Sequence, residues 1–311
     1  MKYTCIIGGN GFIGKYLASL LLAEGKKVKI IGRKPALDQD PDFIYNYINQ
    51  LEDLPKNYFD DVEYVVHAAY IGTPKSSYDD PVKDINENLL FSVRLFERLL
   101  DSDVKKIVFI SSGGTVYGQQ LTDLITEDHP TNPISPYGIT KLCIEKYAQL
   151  FYLDKNLPIV IVRPSNAYGS GQHANTGQGF ITAILDAIEN NHAIEVYGKE
   201  GTIRDYIHVS DVAKGINACL NYGIAGEEYN IGTGIGMSNL DIVNKLTGLY
   251  NYKNLKINIL PERPFDVKKN ILNFRKLQEI SGWYPEYNID LGLKEIMDHS
   301  LLAGNKTRQK I

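Results

Sequence analysis

The chain has 311 residues, 43% of them apolar, which is enough for a large core and long for one domain, so a main domain with a smaller lobe is expected. A formal net charge of -4 with no basic run offers nucleic acid no electrostatic footprint. No stretch approaches the roughly 20 apolar residues of a membrane span, and three scattered cysteines, at 5, 143 and 219, argue against a disulfide framework and read as small core residues.

Residues 3–7 read as a short buried strand, starting so early that a signal peptide finds no room, and the expected location is the cytoplasm. Gly8, Gly11 and Gly14 follow, with Phe12 and Ile13 between the last two, and a helix continues to Glu24 before Gly25. Glycines so spaced allow a tight turn, let a pyrophosphate approach the backbone and pack helix closely on strand, with the anion at the helix N-terminus. The next strand, 27–32, arrives at βαβ spacing, which sets the pattern apart from a plain turn.

That second strand ends at Arg33, where a fold selecting NAD usually has an acid for the ribose 2′-hydroxyl. An arginine there can stack on adenine, pair with a 2′-phosphate or be solvated, so NADP stays open beside NAD. Strand 43–48 leads to Gln50 and Leu51, candidates for the adenine edge. Strand 64–69 ends in Ala68 and Ala69, small enough for a cofactor to lie against, and its His67 has no recognisable catalytic partner and reads as packed.

A helix over 82–100 carries Asn88 and the apolar stripe Leu89, Val93, Phe96 and Leu100, suited to its own sheet or to a partner helix. Strand 106–110 delivers Ser111, Ser112, Gly113, Gly114 and Thr115. Ser135 then suits an N-cap and Pro136 a first helical turn. Helical spacing of Ile139, Leu142, Cys143, Tyr147, Leu150 and Phe151 puts Tyr137 and Lys141 one turn apart on one side. A neighbouring ammonium favours the phenolate, so the Tyr137 pKa should fall from about 10 towards the range of a working base. An exposed helix pair has the same spacing, so the motif alone does not decide.

Glycines 8, 11 and 14, the Tyr137/Lys141 pair and the run from Arg163 through Pro164 and Asn166 to Gly169 together resemble the extended short-chain dehydrogenase/reductase superfamily, most of all its nucleotide-sugar 4-epimerases, over residues 1 to about 297. The resemblance implies an α/β fold, a Rossmann doubly wound parallel sheet with a smaller C-terminal α/β substrate lobe. Residues 1–164, completed by 205–235, would bind the dinucleotide; 165–204 and 236–311 would form the lobe. Asn88, Ser111 and Pro164 join the cofactor set, Tyr137 becomes the base and Lys141 the ligand of the nicotinamide ribose. Asn166, Arg204 and Arg263 would hold the substrate diphosphate, with Asp266 on ribose or steadying Arg263.

Gly113 stands where the family usually bears a catalytic hydroxyl, which leaves Thr115, ranked first, and Ser112 to orient the sugar O4. Gly113, Gly114 and Thr115 replace the Thr, Asp and Glu of 4,6-dehydratases, so that machinery is missing. Asn270 falls between the bulky Tyr of hexose-restricted epimerases and the small residues that admit N-acetyl sugars. Asp205, His208 and Asp211 mimic a metal cluster but are structural in the family, whose mechanism needs no metal. Residues 169–179 resemble a substrate lid, with His173 solvated. The implied activity is NAD-dependent 4-epimerisation of a UDP-hexose or UDP-N-acetylhexosamine through a 4-keto intermediate, in a homodimer paired through the Asn88 and Tyr137 helices. Two alternatives stand beside it: an NADP-dependent reductase of a nucleotide-linked 4-keto sugar, and a non-catalytic nucleotide-sensing module, against which retention of Tyr137 and Lys141 weighs.

Overall fold

Short apolar runs punctuated by glycine build the first half as alternating strands and helices: β1 (Tyr3–Ile7), α1 (Phe12–Ala23), β2 (Lys27–Gly32), β3 (Ile44–Tyr47) and β4 (Val62–His67). Then come α2 (Pro74–Asp79), α3 (Pro81–Asp84), a π turn (Ile85–Leu89), α4 (Leu90–Leu99), β5 (Lys106–Ile110), α5 (Pro136–Lys155) and β6 (Ile159–Pro164). The remainder comprises β7 (Asn166–Tyr168), α6 (Phe180–Asn190), β8 (Ile194–Tyr197), β9 (Ile203–His208), α7 (Val209–Tyr222) and β10 (Glu228–Ile231). It closes with β11 (Gly236–Ser238), α8 (Asn239–Leu249), β12 (Ile257–Leu260), β13 (Lys269–Asn270), α9 (Arg275–Ser281) and α10 (Ile289–Arg308). This computed structural model describes residues 2–33, 35, 40–172, 179–199, 201–252, 255–262 and 266–308, with side chains to 298. The lid sequence around His173 and the clamp residue Arg263 therefore lie outside the described residues.

Seven strands form one parallel sheet in the order β10-β6-β5-β4-β1-β2-β3. Strand order reverses between β1 and β4, and open α/β sheets bind ligands in the crevice at that point. Leu17, Leu21, Val212 and Ile216 cover one face of the sheet, and Leu95, Phe96, Leu99 and Ile144 the other. This is the Rossmann doubly wound arrangement. A smaller sheet has β9 at its centre, antiparallel to β11 and parallel to β13 and β7, and β8 pairs with β12 beside it. Among the described residues no helix is long and apolar enough to cross a membrane.

The helix expected over 82–100 is broken. Asn88 Nδ2 donates to the Asp84 carbonyl at 2.9 Å, an acceptor that a regular helix would give to the Asn88 N–H, and the chain widens into the π turn. Phe96 of its stripe is fully buried on the protein's own sheet, whereas Leu100 is exposed. Cys5 and Cys219 are buried, but Cys143 is only partly so, because it lies towards the outer side of α5.

Candidate active site

The turn after β1 opens onto a cavity of about 530 Å³, lined by Gly8 and Gly11, by Arg33, Gln50 and Leu51 from β2 and beyond β3, and by Ala68, Ala69 and Asn88 from the β4 side. Gly8 holds φ +86°, and a Cβ there would meet Ala69 N at 2.6 Å. A Cβ on Gly14 would lie 2.4 Å from the Gly8 carbonyl, so α1 can start this close to the strand only with glycine. Gly11 is the N-cap of α1 and brings no capping side chain, which leaves the first-turn N–H groups at Phe12, Ile13 and Gly14 without that competitor for an anion. A dinucleotide diphosphate fits this arrangement. Gln50 caps the short turn Leu51–Asp53, and exposed Arg33 lies at the same edge. Asn88 lines the cavity, yet its amide is committed to Ile71: Oδ1 accepts from Ile71 N at 2.7 Å and Nδ2 donates to Ile71 O at 2.9 Å. It thereby fixes the loop leaving β4.

The local chemistry of α5 follows its sequence. Ser135 Oγ accepts from Gly138 N at 3.2 Å and Pro136 occupies the first turn. Tyr137 N donates to Ser77 Oγ at 3.0 Å, which ties this end of α5 to α2. Ser112 stands beside the Tyr137 phenol and favours its ionised form. Lys141 is buried and donates to the Ile110 carbonyl at 2.7 Å, with its Nζ 5.9 Å from the Tyr137 ring centroid. Burial lowers its pKa to about 7, against the raising effects of Glu145 and Asp84. The expected fall in the Tyr137 pKa is not what the geometry yields. Burial of the phenol end pushes it up, neighbouring Ser112 opposes this and Asp84 adds to it. The Lys141 ammonium faces the Ile110 carbonyl instead.

Ser111, expected at the cofactor, turns inward: its Oγ donates to Glu145, whose carboxylate also takes Arg163 Nε at 3.0 Å and Nη2 at 2.6 Å. Pro164 is buried, and its carbonyl receives Gly113 N at 2.9 Å. A Cβ on Gly113 would meet Leu272 Cδ1 at 2.5 Å and the Arg163 carbonyl at 2.9 Å, so the space for the family's usual hydroxyl is filled from two sides. Thr115 Oγ1 is buried without a hydrogen-bond partner. Asn270 is fully buried on β13; its Nδ2 donates to the Gly113 carbonyl at 2.9 Å and its Oδ1 has no partner.

A second cavity, of about 230 Å³, brings together Asn166, Arg204 and Asp266. The buried Asn166 Oδ1 would lie 3.3 Å from a Cβ on Gly114, and Ser112 Oγ 3.9 Å from it, which places Asn166 of this cavity near the strand end that bears Ser112. The Asp205 carboxylate accepts from the N–H groups of Thr233, Gly234 and Leu272, His208 stacks on Tyr287 at 4.0 Å between ring centroids, and Asp211 takes Tyr287 N at 2.8 Å. All three residues join elements of the fold. His67 is packed among Phe91, Phe96 and Phe109, bonds Ser92 Oγ at 2.9 Å, and is pushed down to about 3 by burial, hence neutral.

Sequence reasoning missed Tyr70, Ser77, Asp84 and Glu145. Only Glu145 left a signal, an acid one turn beyond Lys141 on the same inward side. Tyr70 comes from the loop after β4, Ser77 from α2 and Asp84 from α3, all far from Tyr137 in sequence.

The model of the NAD dependent epimerase/dehydratase family matches residues 4–232. The chain is 30% identical over 313 residues to a UDP-glucose 4-epimerase of Lacticaseibacillus casei, covering 91% of this chain and 92% of that protein. It is 29% identical over 308 residues to a dTDP-4-dehydro-6-deoxyglucose reductase of Escherichia coli, covering 94% and 95%. The crystal structure of the Thermus thermophilus UDP-glucose 4-epimerase in complex with NAD superposes with a TM-score of 0.86 at 27% identity, covering 96% of this chain and 98% of that one.

Proposed function

The chain belongs to the NAD dependent epimerase/dehydratase family, and from that membership and the geometry of its site we propose that it is an NAD-dependent 4-epimerase of UDP-hexoses or UDP-N-acetylhexosamines. The observation that carries the reading is the position of Tyr137, which packs against Tyr70, a wall of the first cavity, and has Ser112 beside its phenol at the strand end near Asn166 of the second.

Bound NAD supplies a hydride acceptor and donor at the sugar C4. Tyr137 takes the O4 proton and returns it, and Ser112, in place of a residue-113 hydroxyl, orients O4 and the phenol. Lys141 holds the nicotinamide ribose. Asn166, Arg204 and Arg263 grip the diphosphate, a guanidinium forking onto phosphate oxygens, so the 4-ketose turns without leaving. Asp266 contacts ribose or steadies Arg263. Asn270 is fully buried, with Nδ2 on the Gly113 carbonyl, and lines neither cavity, so the preferred donor sugar is the test of N-acetyl acceptance. Exposed Ile139, Leu150 and Leu153 on α5 support a homodimer.

Proton NMR of the protein with UDP-N-acetylglucosamine or UDP-glucose, without added dinucleotide, should reveal the galacto-epimer. Tyr137→Phe should abolish turnover while nucleotide binding stays nearly intact; a variant that kept most of its rate would remove Tyr137 as the base. A second reading, an NADP-dependent reductase of a nucleotide-linked 4-keto sugar, is favoured by Arg33 at the cavity edge and by the reductase relative. Lack of conversion even with NAD supplied would favour it.

A further inference from the structure

Tyr70, in the loop after β4, lines the dinucleotide cavity and also touches both members of the Tyr137/Lys141 pair, neither of which lines that cavity. Its ring packs edge-on against the Tyr137 ring at 4.6 Å between centroids, and the Lys141 ammonium lies 4.4 Å from its centroid. Its hydroxyl donates to the buried Asp84 carboxylate, 2.8 Å from one oxygen and 2.9 Å from the other. Asn88 joins the two ends of this contact, since its Nδ2 lies 3.3 Å from Asp84 Oδ1 while the same amide grips the backbone of Ile71. A π turn therefore holds both the loop that bears Tyr70 and the carboxylate that receives it.

Lys141 gives one donor to the Ile110 carbonyl and turns its remaining positive surface to aromatic rings, Tyr70 at 4.4 Å and Phe109 at 5.1 Å. A ribose coming from the cavity must reach this ammonium past the Tyr70 ring. The cation–π contact and the charge-assisted hydrogen bond both favour the ring where it is.

We propose that Tyr70, clasped by Asp84, is a positioning residue for Lys141: it covers the ammonium in the free protein and yields it as the nicotinamide ribose of NAD seats. The inference rests on the NAD reading given above. Opening the clasp is then part of every NAD binding event, and the apparent affinity is reduced by the small fraction of open protein.

The test is NAD binding to the full chain stripped of nucleotide, with the dissociation constant from calorimetry and the rates from stopped flow. Tyr70→Ala should tighten NAD on the order of ten-fold through faster association, with release unchanged, as expected when a one-in-ten open state becomes the rule. Tyr70→Phe keeps the packing of the ring and loses only the Asp84 bond; it should tighten NAD by a smaller factor, and it decides the matter if the alanine variant does not fold. Binding by these variants equal to or weaker than that of the parent would mean that the ring is part of the NAD seat, and would overturn the clasp alone. No NAD uptake by the parent or the variants would refute the cofactor reading, and the clasp with it.

Discussion

Ser112 and Thr115 stand three residues apart after β5, and their environments separate them. Ser112 stands beside the Tyr137 phenol, whereas Thr115 Oγ1, the hydroxyl expected first, is buried without a partner. Ser112→Ala should therefore lower kcat by about 100-fold, the lower range of a positioned proton-transfer partner, and Thr115→Ala by less, in steady-state epimerisation assays. Gly113→Ser should not rescue the Ser112 variant, because Leu272 and the Arg163 carbonyl occupy the space. Lys141 has a measurable cost in the free protein. Its pKa is lowered by burial to about 7 in the folded state, against about 10.4 in an unfolded chain, so between these values the unfolded chain binds more protons and stability rises with pH. Lys141→Met should raise the melting temperature most at and below pH 7, with the advantage fading towards pH 10, in thermal scans across that range. The Tyr137/Lys141 spacing was legible from a four-residue interval; the direction in which each pKa moves depended chiefly on burial.

At the level of elements, the buried Glu145–Arg163 pair ties α5 to β6, and Arg163 Nη1 continues to Tyr117 Oη at 2.9 Å, which donates to Asn230 on β10 at 2.7 Å. A fork between a guanidinium and a carboxylate at 2.6 and 3.0 Å, with both side chains almost wholly buried, tolerates loss of one partner poorly. Glu145→Gln should destabilise the protein by about 3 to 5 kcal/mol in urea unfolding, and Glu145→Leu combined with Arg163→Met should recover most of that. The start of α5 at Ser135 and Pro136 could be read locally, since an N-cap needs only its own third residue. The break at 85–89 could not, because it depends on the Asn88 side chain competing for a carbonyl while gripping a loop 17 residues upstream.

Over the whole molecule, one cavity opens at the reversal of the large sheet and a second lies beside β9; Tyr137 lines neither and touches a wall of the first through Tyr70. The outer face of α5 leaves Ile139 50%, Leu150 55% and Leu153 77% exposed, more apolar surface than a solvated helix requires. Light scattering after size exclusion should show a dimer that Leu150→Glu dissociates; a monomeric parent would remove the pairing reading. Residue order alone sets the glycine turn, the alternation of strands and helices and the Tyr137/Lys141 interval, because each depends on residues within one or two turns of chain. Tertiary contacts select which hydroxyl meets Tyr137, require glycine at residue 113, commit Ser111 to Glu145 and stand Tyr70 over Lys141. Those outcomes come from contacts between segments tens to more than a hundred residues apart, where burial and steric exclusion act and local spacing carries no information.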